Sequence, residues 1–295
     1  MKTIKRSFTN TSIKSIATLT SLLATLISTP ALAENDSDQS LYNQDNAAQN
    51  NAKGIWTFGV GLATARFSHY RGSDQSRTIA LPFPYIHYKS KKVTIDREGI
   101  KSQFFSGKNW DMSLSGGGQI KVNSDDNRAR EGMPDLAWVG SVGPVLNYYL
   151  SDDKNQIIKW HLRKAISFED GLESVGFVSE LAYRQNIILP SNSWGEARLV
   201  TTASLNFSSS KYNDYLYGVA PQYATANRPA YSADSGFAGT QLRVSYQLQN
   251  HQGEDKFRAA AFILATNLSG SEFEDSPLVK QTTNVSFGLM YAWLF

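Results

Sequence analysis

The chain has 295 residues, no cysteine, and 29 basic against 26 acidic side chains. Without thiols it has no disulfides, no thiolate metal sites and no thiol nucleophile. Four of the basic residues (Lys2, Lys5, Arg6, Lys14) fall within the first 33, which carry no acid, so residues 34–295 hold 25 basic against 26 acidic groups and lack the clustered basic surface that a nucleic-acid partner needs.

Taken in chain order, the charged start, the apolar stretch Ile16 to Ile27 and the small-residue site at Ala31 and Ala33 predict a signal peptide over 1–33, cleaved after Ala33. The apolar stretch is shorter than the ~20 residues of a spanning helix, and no cysteine follows to carry a lipoprotein anchor. Residues 34–53, rich in Asn, Gln, Asp, Ser and Ala, are predicted to form a flexible periplasmic arm. From 54 to 295 the texture changes to runs of about 10 to 14 residues bounded by turn chemistry.

Many runs alternate. Trp56, Phe58, Val60 and Leu62 oppose Thr57, Gly59, Gly61 and Ala63. Ile158, Trp160 and Leu162 oppose Lys159, His161 and Arg163; Leu199, Thr201 and Ala203 oppose Arg198, Val200 and Thr202; Leu242, Val244 and Tyr246 oppose Arg243, Ser245 and Gln247. The last run places Val285, Phe287, Leu289, Tyr291, Trp293 and Phe295 on one face and mostly small groups on the other. Large apolar groups outward, small or polar groups inward and aromatic residues near strand ends fit a closed barrel in lipid. A mean hydropathy of −0.35 suits such a barrel, because half of its strand side chains face a polar lumen.

The fold class expected is therefore all-β, a transmembrane antiparallel up-and-down barrel of about 12 strands, with 10 as the alternative. Counting back from a periplasmic Phe295 puts connections 269–282, 208–236, 168–173 and 123–135 outside and the short turns 250–255, 190–193 and 151–155 inside. Before Trp110 the pattern blurs, because Val93 to Phe105 reads either as one strand or as a short hairpin broken at Glu98-Gly99. Tyr291, Trp293 and Phe295 form the expected insertion signal for the barrel-insertion machinery. Outer-membrane lipid and lipopolysaccharide are the expected surroundings.

Lys159, His161, Arg163, Glu180, Arg184, Glu196, Arg198 and Arg243 fall on inward faces. Mixed signs point to a mutually satisfied network more than to a selective pore, which presents rings of one sign. No catalytic residue is assigned: His161 and Ser167 share a face but lie about 20 Å apart along a strand, leaving only a serine from an adjacent strand. The acidic loops 123–135 and 272–275 lack the ordered spacing of a calcium site, and the glycines at 59, 61 and 116–118 precede no helix. No metal and no cofactor are expected.

Particular motifs resemble the MipA/OmpV family. They are Tyr70-Arg71-Gly72-Ser73-Asp74, Leu81-Pro82-Phe83-Pro84-Tyr85-Ile86, Arg97-Glu98-Gly99-Ile100, Tyr217-Gly218-Val219 with Pro221, Arg228-Pro229-Ala230-Tyr231-Ser232-Ala233, and Asp275-Ser276-Pro277-Leu278-Val279. The resemblance implies a non-enzymatic outer-membrane barrel. It also implies a scaffold role joining a murein-degrading lytic transglycosylase to a murein-synthesising penicillin-binding protein, with surface adhesin or narrow porin as alternatives. The scaffold would use residues 34–53 and the turns at 151–155 and 190–193, the adhesin the 208–236 loop, and the porin the inward charges.

Overall fold

The computed structural model describes residues 55–89, 93–96, 99–102, 105–168, 171–191, 193–250 and 256–295. Ala31, Ala33, the arm 34–53, the pair Arg97-Glu98 and positions 251–255 lie outside the described residues. Thirteen β segments make one sheet: β1 (Ile55–Ser68), β2 (Ser76–Lys89), β3 (Val93–Asp96), β4 (Gly99–Ser102), β5 (Phe105–Ser106), β6 (Trp110–Gln119), β7 (Val139–Tyr149), β8 (Gln156–Ser167), β9 (Glu173–Ile188), β10 (Glu196–Ser208), β11 (Gly236–Asn250), β12 (Phe257–Asn267) and β13 (Thr283–Leu294).

Neighbours in sequence pair antiparallel, and β1 also pairs with β13, Gly59 opposite Leu294 through Arg66 opposite Phe287. The two strands left at the ends of the ladder, β4 and β5, are consecutive in the chain, and β4 lies against β6. With β4 and β5 taken as one interrupted strand, the barrel has 12 strand positions. The stretch before Trp110 is the hairpin alternative: β3 ends at Asp96 and β4 starts at Gly99.

The faces follow the period of two. On β13 Asn284, Ser286, Gly288, Met290, Ala292 and Leu294 are buried, while Val285, Phe287, Leu289 and Trp293 are exposed. Exposed here means facing lipid, which is why the barrel can leave so much apolar surface out. Aromatic groups gather at the rim that carries the chain's end: Trp56 stacks on Phe58 at 5.7 Å, Phe257 on Tyr291 at 5.4 Å, and Tyr291 meets Trp293 edge-on at 4.6 Å. Two bulges add twist. At one, between Leu205 and Phe207, the opposing strand takes its extra residues at Ala238-Gly239, and Gly239 sits at φ +98, where a side chain would be strained.

At the opposite rim the long connections are not loose. Residues 69–75, 120–138, 209–235 and 268–282 fold together around Tyr70, Val122, Leu136, Leu216, Tyr217, Val219, Leu268, Phe273 and Leu278, all buried. Within this cap lies α1 (Ser210–Tyr217), capped by Ser209, whose hydroxyl accepts from Tyr212 N. The acidic stretches 123–135 and 272–275 also contribute to the cap core, through Ala129, Met133 and Phe273, and are only outwardly polar. Asp125 and Asp126 face water, while Asn127, Arg130 and Phe273 face in.

Candidate functional site

All eight inward charges of the sequence reading lie on the lumen side of their strands. Lys159, His161, Arg184, Arg198 and Arg243 are buried, Arg184 to 0% exposure. Arg163 Nη2 meets Glu180 Oε2 at 3.3 Å, its Nη1 donates to Gly116 O at 3.1 Å, and Gln249 donates to Glu196 at 3.2 Å. Arg184 Nε donates to Asn186 Oδ1 at 3.1 Å, and the Arg243 guanidinium lies over the Phe262 ring at 5.6 Å. A water-filled pore would leave such side chains solvated. Here they pack into the interior of the barrel.

The reading from sequence missed four further inward groups. Asp111 accepts from Asn147 at 2.9 Å and from the Tyr149 hydroxyl at 2.5 Å, Arg258 lies over the Tyr85 ring at 5.5 Å, Arg77 lies over Phe67 at 5.3 Å, and His87 is buried nearby on β2. A period-two count through β2, β6 and β12 would have found them.

The structure also supplies the adjacent-strand serine. Ser115 Oγ on β6 lies 3.2 Å from His161 Nδ1 on β8, reaching past Gly143 of β7. The Ser115 hydroxyl lies equally close to Gly143 O, at 3.2 Å, so a carbonyl and the imidazole compete for its one proton.

Above the lumen, most of the family-like motifs come together. Tyr70 donates its hydroxyl to Leu278 O at 2.8 Å, Ser276 donates to Tyr217 O at 2.7 Å, and Tyr217 stacks on Phe273 at 3.8 Å. Arg228 binds Tyr223 O at 2.9 Å and Glu131 O at 2.9 Å, clamping two connections together. Arg130 is buried yet donates to Leu216 O, Pro134 O and Ser124 Oγ, which offsets the cost of taking its charge out of water. Burial pushes the pKa of the Tyr70 and Tyr217 phenols well above the usual tyrosine value, so both stay neutral donors or stacking surfaces. Asn284 of β13 bolts the cap to the wall, accepting from Gly72 N at 2.7 Å and donating to Ser73 O at 2.9 Å.

Residues 60–295 match the family described as MltA-interacting protein MipA. Outer membrane protein Omp26La of Vibrio anguillarum is 26% identical over 257 residues, covering 82% of this chain and 88% of the relative. Outer membrane protein OmpV of Vibrio cholerae has the same identity and coverage. Among solved structures, a bacterial polysaccharide outer membrane secretin aligns over 81% of this chain with a TM-score of 0.37 at 10% identity, a likeness too distant to carry an argument.

Proposed function

The chain belongs to the MipA family of outer-membrane proteins, and from that premise we propose that it is a non-enzymatic platform anchoring murein-remodelling enzymes to the outer membrane. The observation that carries this reading is the closed axis. Five of the eight inward charges of β8 to β11 are buried and the mouth above them is roofed by a packed cap, which argues against axial conduction and leaves surfaces as the working parts. The family's own description as an MltA-interacting protein favours a lytic transglycosylase as the partner, with a penicillin-binding protein joined through it. The periplasmic surfaces available are the turn at 151–155, the turn carrying exposed Trp194, and the arm 34–53. Adhesion would instead work through the finger 219–231 of the cap, whose tip residues Ala226 and Asn227 are exposed.

Photo-crosslinking residues placed at Asp153, Trp194 and Asn227 in intact cells separate the two. We expect a lytic transglycosylase captured from Asp153 or Trp194 and only surface molecules from Asn227. Capture of no murein enzyme from either periplasmic position, at wild-type barrel levels, would overturn the platform reading. Stable conductance steps of purified barrels in planar bilayers would restore the porin reading.

A further inference from the structure

The lumen has two unlike walls. From β6 to β11 the inward side chains are mostly polar or charged, with Val145, Ile157, Ala182 and Val200 among the exceptions, whereas β12, β13, β1 and β2 bring together more apolar groups, among them Phe262, Leu264, Met290, Phe67, Leu81 and Phe83. The register aligns Phe262, Gly288, Ala65 and Ile79 in one row across four strands. Much of this wall covers itself, with Phe67 against Ala65, Phe262 and Leu264, and Phe83 against Tyr85, Ala292 and Leu294, which leaves Leu81 as its most exposed inward group.

That wall ends at an edge. β2 pairs with β1 along its whole length, but with β3 only at Tyr88 and Lys89. The hairpin beside it is short, since β3 and β4 pair over four residues each, Val93 opposite Ser102 to Asp96 opposite Gly99, whereas β2 runs for 14 residues. Above the hairpin, from Ser76 to His87, the second edge of β2 has no neighbouring strand among the described residues.

Which backbone groups face that edge follows from the ladder. Phe295 N donates to Phe58 O, so even-numbered residues of β1 bond to β13 and odd ones to β2. With Gly61 opposite Phe83, the even-numbered residues of β2 point to the open edge, and two of them are Pro82 and Pro84. Proline removes the donors that an added strand would use. Backbone at membrane depth without a partner is tolerated where it lines a cavity. The seam is thus built to stay open rather than to pair with another chain.

Exposure along β2 agrees. Tyr85 and His87, beside the hairpin, are buried; Ile79 and Phe83 are part-exposed; and Leu81 is 44% exposed, although it faces inward opposite buried Ala63. Arg77 stands at the top of this strip. One of its Nη atoms bonds Lys121 O at 2.8 Å across the seam, and its Nε is buried without a hydrogen-bond partner. Inward charge among the described strand residues is seven cations against three carboxylates, Asp111, Glu180 and Glu196.

We propose that the seam beside β2 admits a single-chain anionic amphiphile of fatty-acid type, with its chain along Ile79, Leu81 and Phe83 and its carboxylate at Arg77 beneath the cap. The strip from Arg77 to Phe83 is roughly 20 Å long and one row of side chains wide, the dimensions of a single acyl chain, and the Phe83 ring, which lies across Gly61, closes its β1 side at the lower end. Head up and chain down is also the orientation of an amphiphile in the outer leaflet, so entry through the seam needs no inversion. This site does not depend on the murein platform, and neither proposal falls with the other.

The test uses purified full-length barrel in neutral detergent, with a palmitate carrying a photoreactive diazirine on its chain. Saturable labelling is expected at Ile79, Leu81 or Phe83, competed by palmitate but not by hexadecanol or by the two-chain phosphatidylglycerol. Arg77→Gln should weaken palmitate binding about tenfold or more, the worth of a hydrogen bond to a charged group, while Arg66→Gln on the outward face leaves it unchanged. Should Arg77→Gln disturb folding, the preference for palmitate over hexadecanol in the wild-type barrel carries the same information. Labelling confined to outward-facing Pro82, Pro84 or other lipid-facing positions, labelling that does not saturate, or equal competition by hexadecanol or phosphatidylglycerol would overturn the proposal.

Discussion

The cap and the lumen are two interiors built by opposite rules. The cap is made from connections, yet it has the apolar core of a soluble domain, with Tyr217, Leu268, Phe273 and Leu278 almost wholly buried and buried Ser276 and Arg130 bonded to carbonyls. The lumen is made from regular strands, yet most of its wall is charge, amide and hydroxyl. The difference follows from what each must hide from. Strands in lipid place apolar groups outward and are left with polar ones inside, whereas connections emerging into water must bury their own aromatic residues to become ordered. One chain therefore carries a membrane fold and a soluble-type fold joined at Asn284.

Both interiors depend on closure of the ladder between β1 and β13, so the largest effect comes from the chain's end. Phe295→Asp should abolish assembly of both together, because it places a charge where Phe295, three-quarters exposed, meets lipid and where its backbone bonds Phe58. Heat-modifiable barrel at wild-type levels in outer-membrane fractions would contradict this. Separation of the two interiors comes next. Tyr217→Ala removes the ring stacked on Phe273 and should destabilise the cap by about 3–5 kcal/mol, opening the 219–231 finger to external protease while the barrel stays folded. Simultaneous loss of the barrel would mean that cap and wall are one cooperative unit.

A smaller effect is expected within the lumen. Arg163→Ala removes the ion pair to Glu180 and the hydrogen bond to Gly116 O, at a cost of about 1–3 kcal/mol, towards the lower end because both side chains keep some access to solvent (16% and 18%). Thermal melts should fall accordingly and bilayer conductance should not change. A change in ion selectivity without loss of stability would show that the charges line water.

These regions also differ in how far sequence reveals them. Inward placement of Lys159, Arg163, Arg184, Arg198 and Arg243 was legible because the period of two is local and a slip of one residue would turn every side chain over. The cap was not legible, because its contacts join residues as distant as Tyr70 and Leu278, 208 positions apart, and no periodicity reports such a meeting. The hints were chemical: Tyr217 follows Tyr212, Tyr215 and Leu216 in a long connection, and Phe273 is a large aromatic group in an otherwise polar stretch. The inward side of β2 was not read from sequence, because Pro82 and Pro84 stood there only as part of a family-like motif, and in the fold they mark the open edge of the strand.

The finest distinction between the interiors is their response to acid, and it turns on His69. Its Nδ1 lies 3.3 Å from Asn127 Nδ2. The orientation of that amide is fixed, since Nδ2 also donates to Ser73 Oγ at 2.9 Å and Oδ1 accepts from Ala129 N at 3.2 Å. His69 must therefore accept, which requires the neutral ring. Burial, with Arg77 adding to it and Asp126 opposing, holds its ionisation below the ordinary 6.5. A depressed value means that the opened cap binds the proton more readily than the closed one, so this contact stabilises the cap fully above pH ~6.5. The stabilisation declines as pH falls from there through the lowered value. Protease cleavage of the 219–231 finger should rise modestly between pH 7.5 and pH 5, and His69→Gln should flatten that rise. An equal rise in His69→Gln would assign the acid response to other groups, and no rise in wild type would mean that His69 titrates alike in the closed and open cap.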